Sequence, residues 1–332
     1  MRAHPSQRTS SWAAAILGLA LALLGQAGLA AAPATRPADA VRITLLHVND
    51  VHGQLEGKTA GGKGVGGYGR LATAVADIRR SCDADGVLLI HAGDEFSKGD
   101  ELTTRTRGRA NVAIMNHVGF DLWVPGNGEF YDGLDNLRQR ISEAKCQVLS
   151  ANVHLRATGQ PPVAPWVVRE VRGVRVAFLG LGFIREEHPS AQAFRLLDPV
   201  QTARKLLPDI RKSADVVVAI THIGFGADQK LAATVGGIDL IIGGHSHTTL
   251  PNGRRVKGPD GEVLVCQAGD ELRFLGRIDL SVKKPGGAWK LDAATAKLLP
   301  LDQNVKIDPT VTALIARLAQ GLPKPATAPA GR

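Results

Sequence analysis

Cysteine is scarce in this sequence: the only three in 332 residues are Cys82, Cys146 and Cys266. An odd number leaves at least one thiol unpaired even where the compartment permits disulfides. Cys82 and Cys146 each lie close to an expected strand, so these two could approach each other, and their pairing stays open. Cys266 lies in an apolar segment and is expected to pack in the core. The spacing of the three suggests no metal site.

Aromatic residues make up only 4% of the sequence, and no dense run of Lys and Arg occurs. Both features argue against a nucleic-acid polymer as the partner. The formal net charge of +9 favours anionic partners, but charge alone does not choose among phosphate esters, lipids and nucleic acids. The 44% hydrophobic content excludes a wholly disordered chain.

Long hydrophobic runs are also missing, apart from residues 12–24 near the N-terminus. This run is shorter than the roughly 20 apolar residues that a membrane-spanning helix needs. It follows a basic start with Arg2 and Arg8 and precedes small residues, a pattern typical of a cleaved signal peptide. We expect residues 1–32 to be a signal peptide cut near residues 30–32, which gives a periplasmic or secreted protein with no stable membrane anchor.

After the signal peptide, strand and helix patterns alternate along the chain. Two strand patterns flank Arg172-Gly173 and predict a β-hairpin over residues 166–181. The alternation predicts an α/β fold, and the strand-rich second half favours mixed sheets with helices outside over a purely parallel sheet. The expected organisation is a linker at 33–40, one domain at 41–305, and a short helix with a disordered Pro/Ala tail at 306–332.

Metal-competent side chains follow five of the apolar strand patterns, usually beside a glycine. Glycine lets the chain turn sharply, so a side chain at each strand tip can point into a shared crevice. Any one of them alone has an ordinary explanation, such as a turn cap or a satisfied core histidine, but five strand tips together do not. Their carboxylate, amide and imidazole donors suit Mn, Zn, Fe or Co, and could hold two divalent ions roughly 3.5–4 Å apart for phosphoryl hydrolysis. The expected metal ligands are Asp50, His52, Asp94, Asn127, His222, His245 and His247.

Five segments resemble the 5'-nucleotidase branch of the calcineurin-like metallophosphoesterases, in the family's order and over about residues 43–280. These segments are LLHVNDVHGQLE, HAGDEFSKGD, PGNGEF, THIGFGADQKLAATVGGIDLIIGGHSHT and VLVCQAGDELRFLGRIDL. The resemblance implies a four-layer α/β/β/α metallophosphoesterase sandwich with two mixed sheets. It also implies these ligand roles: Asp50, His52 and His247 on the first ion, Asp94 bridging both ions, and Asn127, His222 and His245 on the second.

Two positions depart from the family pattern. Family members usually read GNHEFD where this sequence reads GNGEFY, so Gly128 stands for the catalytic histidine and Tyr131 for the aspartate that orients it. Loss of such a donor or general acid typically lowers the rate by about 10²–10⁴. A substitute donor could come from Glu129, Tyr131, His91 or His117. We therefore expect slow hydrolysis, or activity on esters whose leaving groups need little protonation.

The nucleotidases of this family carry a further C-terminal domain that grips the nucleotide base, and this sequence ends soon after residues 308–318. We expect that domain to be absent, in which case a separate partner protein could supply specificity. The expected function is that of an exported, dinuclear metal-dependent hydrolase of small phosphate mono- or diesters or nucleotide-like molecules. Two alternatives stay open: a catalytically weakened metal-binding or interaction protein, and a hydrolase of another ester, such as the thiosulfate-processing branch of the superfamily.

A glycine-rich stretch at residues 61–69 contains a formal G-x-G-x-x-G. In a dinucleotide-binding fold it would follow the first strand directly, whereas here residues 50–61 intervene. We expect a flexible loop instead. Lys58, Lys63 and Arg70 could contact the anionic part of a substrate from this loop, or point into solvent.

Overall fold

The computed structural model of the protein describes Met1 and residues 39–60, 63–96 and 98–322. The expected signal peptide beyond Met1, most of the linker and the end of the Pro/Ala tail lie outside the described residues. Within the described ranges, no helix combines the length and the hydropathy that crossing a bilayer requires.

The first sheet has six strands: β1 (Ala40–Val48), β4 (Gly86–His91), β5 (Leu122–Trp123), β6 (Gln147–Val148), β15 (Phe274–Lys283) and β16 (Lys290–Pro300). Their order across the sheet is β16-β15-β1-β4-β5-β6. The four strands from β1 to β6 pair in parallel, and β15 pairs antiparallel with both β1 and β16. The sheet is therefore mixed.

The second sheet also has six strands: β8 (Trp166–Val171), β9 (Val174–Leu181), β11 (Val216–Thr221), β12 (Leu240–Ile242), β13 (Arg254–Gly258) and β14 (Gly261–Cys266). Their order is β13-β14-β12-β11-β9-β8, with parallel pairs in the middle and an antiparallel pair at each edge. The edge pair β8–β9 is the predicted hairpin over residues 166–181, closed by the pairing of Val171 with Val174.

Helices and short elements connect these strands. The α-helices are α1 (Tyr68–Ser81), α2 (Glu101–Thr106), α3 (Arg109–Val118), α4 (Gly133–Glu143), α5 (Pro199–Ser213), α6 (Phe225–Thr234) and α7 (Pro309–Gln320). Single 3₁₀ turns occupy Gly128–Phe130, Pro189–Ala191 and Pro285–Gly287. Two small two-stranded sheets pair β2 (Lys58–Ala60) with β3 (Lys63–Val65) and β7 (Val153–Leu155) with β10 (Phe194–Leu196). Asp198 and Asp308 cap α5 and α7 by accepting hydrogen bonds from backbone amides of the first turn, and proline follows each cap.

The strands alternate their side chains between separate apolar cores. Along β11, for example, Val216, Val218 and Ile220 face one core, and Val217 and Ala219 face another. The first of these cores lies between the two sheets, the second lies under α5 and α6, and a third lies between the first sheet and helices α1, α3 and α7. The layers are therefore α/β/β/α with two mixed sheets, which confirms the predicted fold class.

The C-terminal helix α7 belongs to the third of these cores. Val311, Leu314 and Ile315 on one face of α7 are buried with residues of α1 and α3. This helix corresponds to the short amphipathic helix expected near the end of the chain.

The glycine-rich stretch differs from the predicted flexible loop, since it contains β3, which pairs with β2, and the start of α1 at Tyr68. Lys58 Nζ forms an ion pair with Glu271 at 2.9 Å. Arg70 donates hydrogen bonds to the carbonyl oxygens of Gly66 and Asp302. Lys58 and Arg70 therefore interact with other residues of the chain, and Lys63 is exposed to solvent.

The three cysteines are free thiols. Cys146 lies in the core under α1 and α3, and Cys82 packs against the same core. Burial raises the pKa of Cys146 and of Cys266 to about 12, which keeps both thiols protonated and unreactive at neutral pH.

The core between the sheets predicts a large difference between two isoleucine variants. Ile278 in β15 is fully buried between the sheets, whereas Ile307 is 53% exposed. Ile278→Ala removes buried methyl groups and leaves a cavity, so we expect a loss of about 2–5 kcal/mol in the free energy of unfolding. The matched control Ile307→Ala should change it by about 0.5 kcal/mol or less. Chemical denaturation of both variants measures this, and equal losses would contradict the layered packing.

Candidate metal centre

The seven predicted ligands follow strands whose carboxyl ends meet in one place. Asp50 and His52 follow β1, Asp94 follows β4 and Asn127 follows β5, and these three strands are parallel neighbours in the first sheet. In the second sheet, His222 follows β11, and the segment carrying His245 and His247 follows the neighbouring parallel strand β12. Parallel neighbours end at a common edge, and the edges of the two sheets lie together here.

The backbone is held in an uncommon conformation at most of these positions. Non-glycine residues rarely adopt a positive φ, and such residues cluster at functional sites, where the surrounding structure enforces them. Here the enforcement includes hydrogen bonds from the amide of Asp50 to the carbonyl of Gly93 and from the amide of His52 to the carbonyl of Asp94. The site residues with positive φ are Asp50 (51°), His52 (52°), Asp94 (57°), His245 (78°) and His247 (54°).

Two glycines beside the site are required by close packing. A Cβ atom at Gly93 would lie 2.5 Å from Nδ1 of His222, and one at Gly126 would collide with the carboxylate of Asp94. Glycine at these positions lets the strand ends of both sheets approach each other. This is the physical reason for the glycines that accompany the ligands in the sequence.

Asp50, His52 and His247 form a first group of potential metal-binding side chains. Oδ1 of Asp50 lies 3.4 Å from Nε2 of His247 and 3.8 Å from Nε2 of His52. The two Nε2 atoms are 2.9 Å apart. Three donors thus face one small volume between them.

Asp50, Asp94 and His222 form a second group. Nε2 of His222 lies 3.4 Å from Oδ1 of Asp94 and 3.9 Å from Oδ1 of Asp50. The residue common to both groups is Asp50, whereas the family resemblance assigns the bridging role to Asp94. Asp94 also extends toward the first group, since its Oδ2 lies 3.8 Å from Nδ1 of His52.

Asn127 and His245 border these groups. Nδ2 of Asn127 donates a hydrogen bond of 3.1 Å to the hydroxyl of Tyr131. The backbone amide of His245 donates a 2.9 Å bond to Oδ2 of Asp50, and its ring centroid lies 5.2 Å from that of His222. The structure therefore brings five of the predicted side chains together in the two groups and places Asn127 and His245 beside them.

Four buried donor or acceptor atoms at this site have no hydrogen-bond partner among the described residues: Asp50 Oδ1, His52 Nδ1, Asn127 Oδ1 and His222 Nε2. Buried polar atoms are nearly always paired, so a cluster of unpaired ones calls for an explanation. Oxygen and imidazole donors that converge in this way are the atoms that divalent transition metals bind. The residues present therefore fit a metal centre.

The pKa shifts of the site's histidine and carboxyl groups reflect the negative charge of the two buried carboxylates. Burial alone would lower the pKa of His222, but the adjacent carboxylates of Asp94 and Asp50 raise it to about 10. Burial would likewise raise the pKa of Asp50 and Asp94, but nearby histidines hold both below the ordinary value. Two ionised carboxylates buried at close range attract cations, whether protons or metal ions.

Further residues orient the ligands. Nδ1 of His222 lies 2.7 Å from the carbonyl of Ala92, which leaves Nε2 facing the carboxylates. Nδ1 of His247 lies 3.1 Å from Oδ2 of Asp270. Such outer partners fix the ring orientation of metal-binding histidines. Asn49 donates to Oδ2 of Asp50 at 2.7 Å. Sequence reasoning missed Asn49 and Asp270, although both lie inside the segments that carry the family resemblance.

The four candidate replacements for the catalytic histidine lie in different environments. Glu129 is buried, and its carboxylate accepts hydrogen bonds from the backbone amides of Asp94, Glu95, Phe96 and Gly126, so it braces the loop after β4. Burial and the charge of Asp94 raise the pKa of Glu129 to about 8, and the backbone amides oppose this rise.

His91 pairs with Glu95 at 2.8 Å in the fully buried interior. His117 contacts Thr310 of α7 at 2.9 Å. Of the four, Tyr131 alone hydrogen-bonds the side chain of a predicted ligand, Asn127. Gly128 lies beside it, and its backbone amide donates to Oδ1 of Asp94 at 2.7 Å.

Residues 43–249, with these strand tips among them, match the calcineurin-like phosphoesterase family. The chain belongs to this family. It is 28% identical over 273 residues to a probable 5'-nucleotidase of Treponema pallidum, covering 74% of this chain and 46% of that protein. It is 30% identical over 312 residues to a 5'-nucleotidase of Bos taurus, covering 83% of this chain and 53% of that protein.

Among solved structures, a 5'-nucleotidase precursor from Thermus thermophilus superposes with a TM-score of 0.75 at 28% identity. The superposition covers 84% of this chain and 58% of that one. The chain spans about half the length of these relatives, and its phosphoesterase fold is theirs.

Removal of one candidate ligand should lower metal affinity strongly. His222→Ala deletes the imidazole of the second group. Loss of a residue that only orients a ligand lowers metal affinity by about 10–100-fold. We expect the loss of His222 itself to lower the affinity for Mn²⁺ or Zn²⁺ by more than that. The matched control is His117→Ala, since the side chain of His117 hydrogen-bonds Thr310 of α7 and none of the predicted ligands. Competition with a chromophoric chelator measures the affinity. Equal affinities in the two variants would show that His222 is not a ligand.

Proposed function

We propose that this chain is an exported phosphoesterase that hydrolyses small phosphate mono- or diesters, 5'-nucleotides among them, with two divalent metal ions. The observation that supports this most strongly is the convergence of five donor-bearing side chains in two groups at one edge of the sandwich, with unpaired buried atoms on three of them and on the adjacent Asn127. The basic start and apolar run within residues 1–32 support export.

Metal ions bound here would lower the pKa of an attacking water and neutralise charge on the phosphate oxygens. The protein's own contribution is to hold the donors. Asp50 and Asp94 supply negative charge, and the contact of Nδ1 of His222 with the carbonyl of Ala92 turns its Nε2 toward these carboxylates, where a metal ion would displace the proton. Asp270 does the same for His247. We assign Mn, Zn, Fe or Co as the metals, because the donor set combines oxygen with imidazole nitrogen.

The open side of the centre supports an anionic substrate. The side chain of His247 is 37% exposed, in contrast to the buried Asp50 and His222. Burial is the main cause that lowers the pKa of His52 and His245, and positive charges on Lys98 and Arg185, respectively, contribute. These two exposed cations lie near His52 and His245, respectively, and could attract a phosphate group.

Weak catalysis is part of the proposal. Gly128 has no side chain to assist the leaving group, and Tyr131 cannot act as the orienting carboxylate. The donors that position cations are present, while the family's acid is not. We therefore propose that the chain prefers esters with good leaving groups.

A substrate panel tests the reaction class. We expect protein loaded with Mn²⁺ or Zn²⁺ to hydrolyse aryl phosphates or aryl phosphodiesters faster than nucleotides. Asp94→Asn should lower kcat/KM by about 10² or more, because it weakens the charge that holds the cations. Asp215→Asn, at a surface pair with Arg175, is the matched control and should keep wild-type activity. Bound metal without turnover on any phosphate ester would favour a metal-binding or interaction role, and turnover of a thiosulfate ester alone would favour the thiosulfate-type alternative.

Restoring the family's dyad tests the explanation for weak catalysis. The double variant Gly128→His/Tyr131→Asp should hydrolyse alkyl phosphates faster than Gly128→Ala/Tyr131→Asp, with a gain of at most about 10²–10⁴. This matched control carries the aspartate without the imidazole and should show no gain over wild type. A Gly128→His/Tyr131→Asp variant that binds metal normally but is no faster than the control would disprove this explanation.

A further inference from the structure

The hydroxyl of Tyr131 is held one hydrogen bond away from a predicted metal ligand. Oη of Tyr131 accepts from Nδ2 of Asn127 at 3.1 Å, while Oδ1 of Asn127 is buried and unpaired. An amide NH₂ group is a donor only, so the hydrogen of the hydroxyl must point away from Asn127. No described residue accepts that hydrogen. Tyr131 is therefore a hydrogen-bond donor with a free hydrogen beside the site.

His188 fixes the ring of Tyr131 from one face. The two rings stack with centroids 4.2 Å apart and an interplanar angle of 29°. Nδ1 of His188 accepts a 3.3 Å hydrogen bond from the amide of Ser190, at the start of the 3₁₀ turn Pro189–Ala191. An accepting Nδ1 places the proton of the neutral imidazole on Nε2. His188 thus hydrogen-bonds its own loop and stacks on Tyr131, and it does not replace the missing catalytic histidine.

A small apolar core anchors both loops. Phe130, next to Tyr131, packs edge-on against Phe194 with centroids 4.9 Å apart. Both belong to a buried cluster that also contains Ile184, from the segment that leads to His188. This core therefore holds the two loops that carry the stack. The position of the Tyr131 hydroxyl is fixed by its hydrogen bond to Asn127 and by the stacking of its ring on His188.

On the basis of the proposed function, we propose that Tyr131 donates a hydrogen bond to the ester oxygen that leaves phosphorus, with His188 as its positioning residue. In hydrolysis, a bond forms between the oxygen of water and phosphorus, and the ester P–O bond breaks with its electron pair on the leaving oxygen. The hydroxyl of Tyr131 stabilises that charge but keeps its proton. The attacking water releases one proton to solvent and keeps the other on the phosphate product, and the leaving oxygen takes one proton from solvent.

Tyr131→Phe tests this, because it removes only the hydroxyl. For alkyl phosphates, whose leaving oxygen carries most charge, we expect kcat to fall by about 10²–10³. For 4-nitrophenyl phosphate we expect a loss of roughly 3-fold or less, because that leaving group needs little stabilisation. Equal losses on both substrates, or no loss on either, would overturn the proposal.

Two measurements without turnover separate donation from a structural role. Orthovanadate mimics the five-coordinate phosphorus and places an oxygen where the leaving group lies, so Tyr131→Phe should weaken its binding by about 10-fold or more. Affinity for the metal ion should stay the same, and a fall in metal affinity would mean that Tyr131 only positions Asn127. If wild-type protein hydrolyses no ester, the proposed function fails, and vanadate binding still decides the role of Tyr131.

Two variants of His188 test the stack. His188→Phe keeps an aromatic face against Tyr131, and we expect the wild-type preference among leaving groups to persist. His188→Ala removes the face, and we expect part of the Tyr131→Phe loss on alkyl phosphates to appear. Equal and large losses in both variants would identify His188 itself as the donor and overturn the assignment to Tyr131.

Discussion

The burial of two carboxylates at close range is the constraint on which the site depends. Asp50 and Asp94 are almost fully buried, and both face the same imidazole of His222. Buried charges of one sign are costly unless positive charge or hydrogen bonds compensate them. The histidines and the backbone amides of His245 and Gly128 supply part of that compensation. The unpaired atoms that remain are where the proposed cations would complete it.

The four-layer architecture makes this arrangement possible. Parallel strands of each sheet end at the same edge, and the apolar core between the sheets brings the two edges together. Glycine at 93 and 126 permits contact between side chains of opposite sheets. The rigid strands that precede the predicted ligands hold their backbone in the uncommon conformations with positive φ. The same packing that stabilises the fold therefore positions the donors.

Much of the fold and the meeting of the predicted ligands could be predicted from sequence, because both follow from local patterns of apolar and polar residues. Apolar strands that end in a polar residue, usually beside glycine, predict the convergence of Asp50, Asp94 and His222. The two-stranded pairing of β7 with β10 and the hairpin of β2 with β3 were not predicted, since their strands are only three residues long. The stack of Tyr131 on His188 joins loops from distant parts of the chain, and no periodicity signals such a contact.

The central claim is that these side chains bind a pair of cations, and anomalous diffraction tests it most directly. Crystals grown with Mn²⁺ would be measured at a wavelength where manganese scatters anomalously. The account predicts two peaks about 3.5–4 Å apart, one contacting Asp50, His52 and His247 and the other contacting Asp94 and His222. A map without anomalous density at these side chains, from crystals of correctly folded protein, would contradict it.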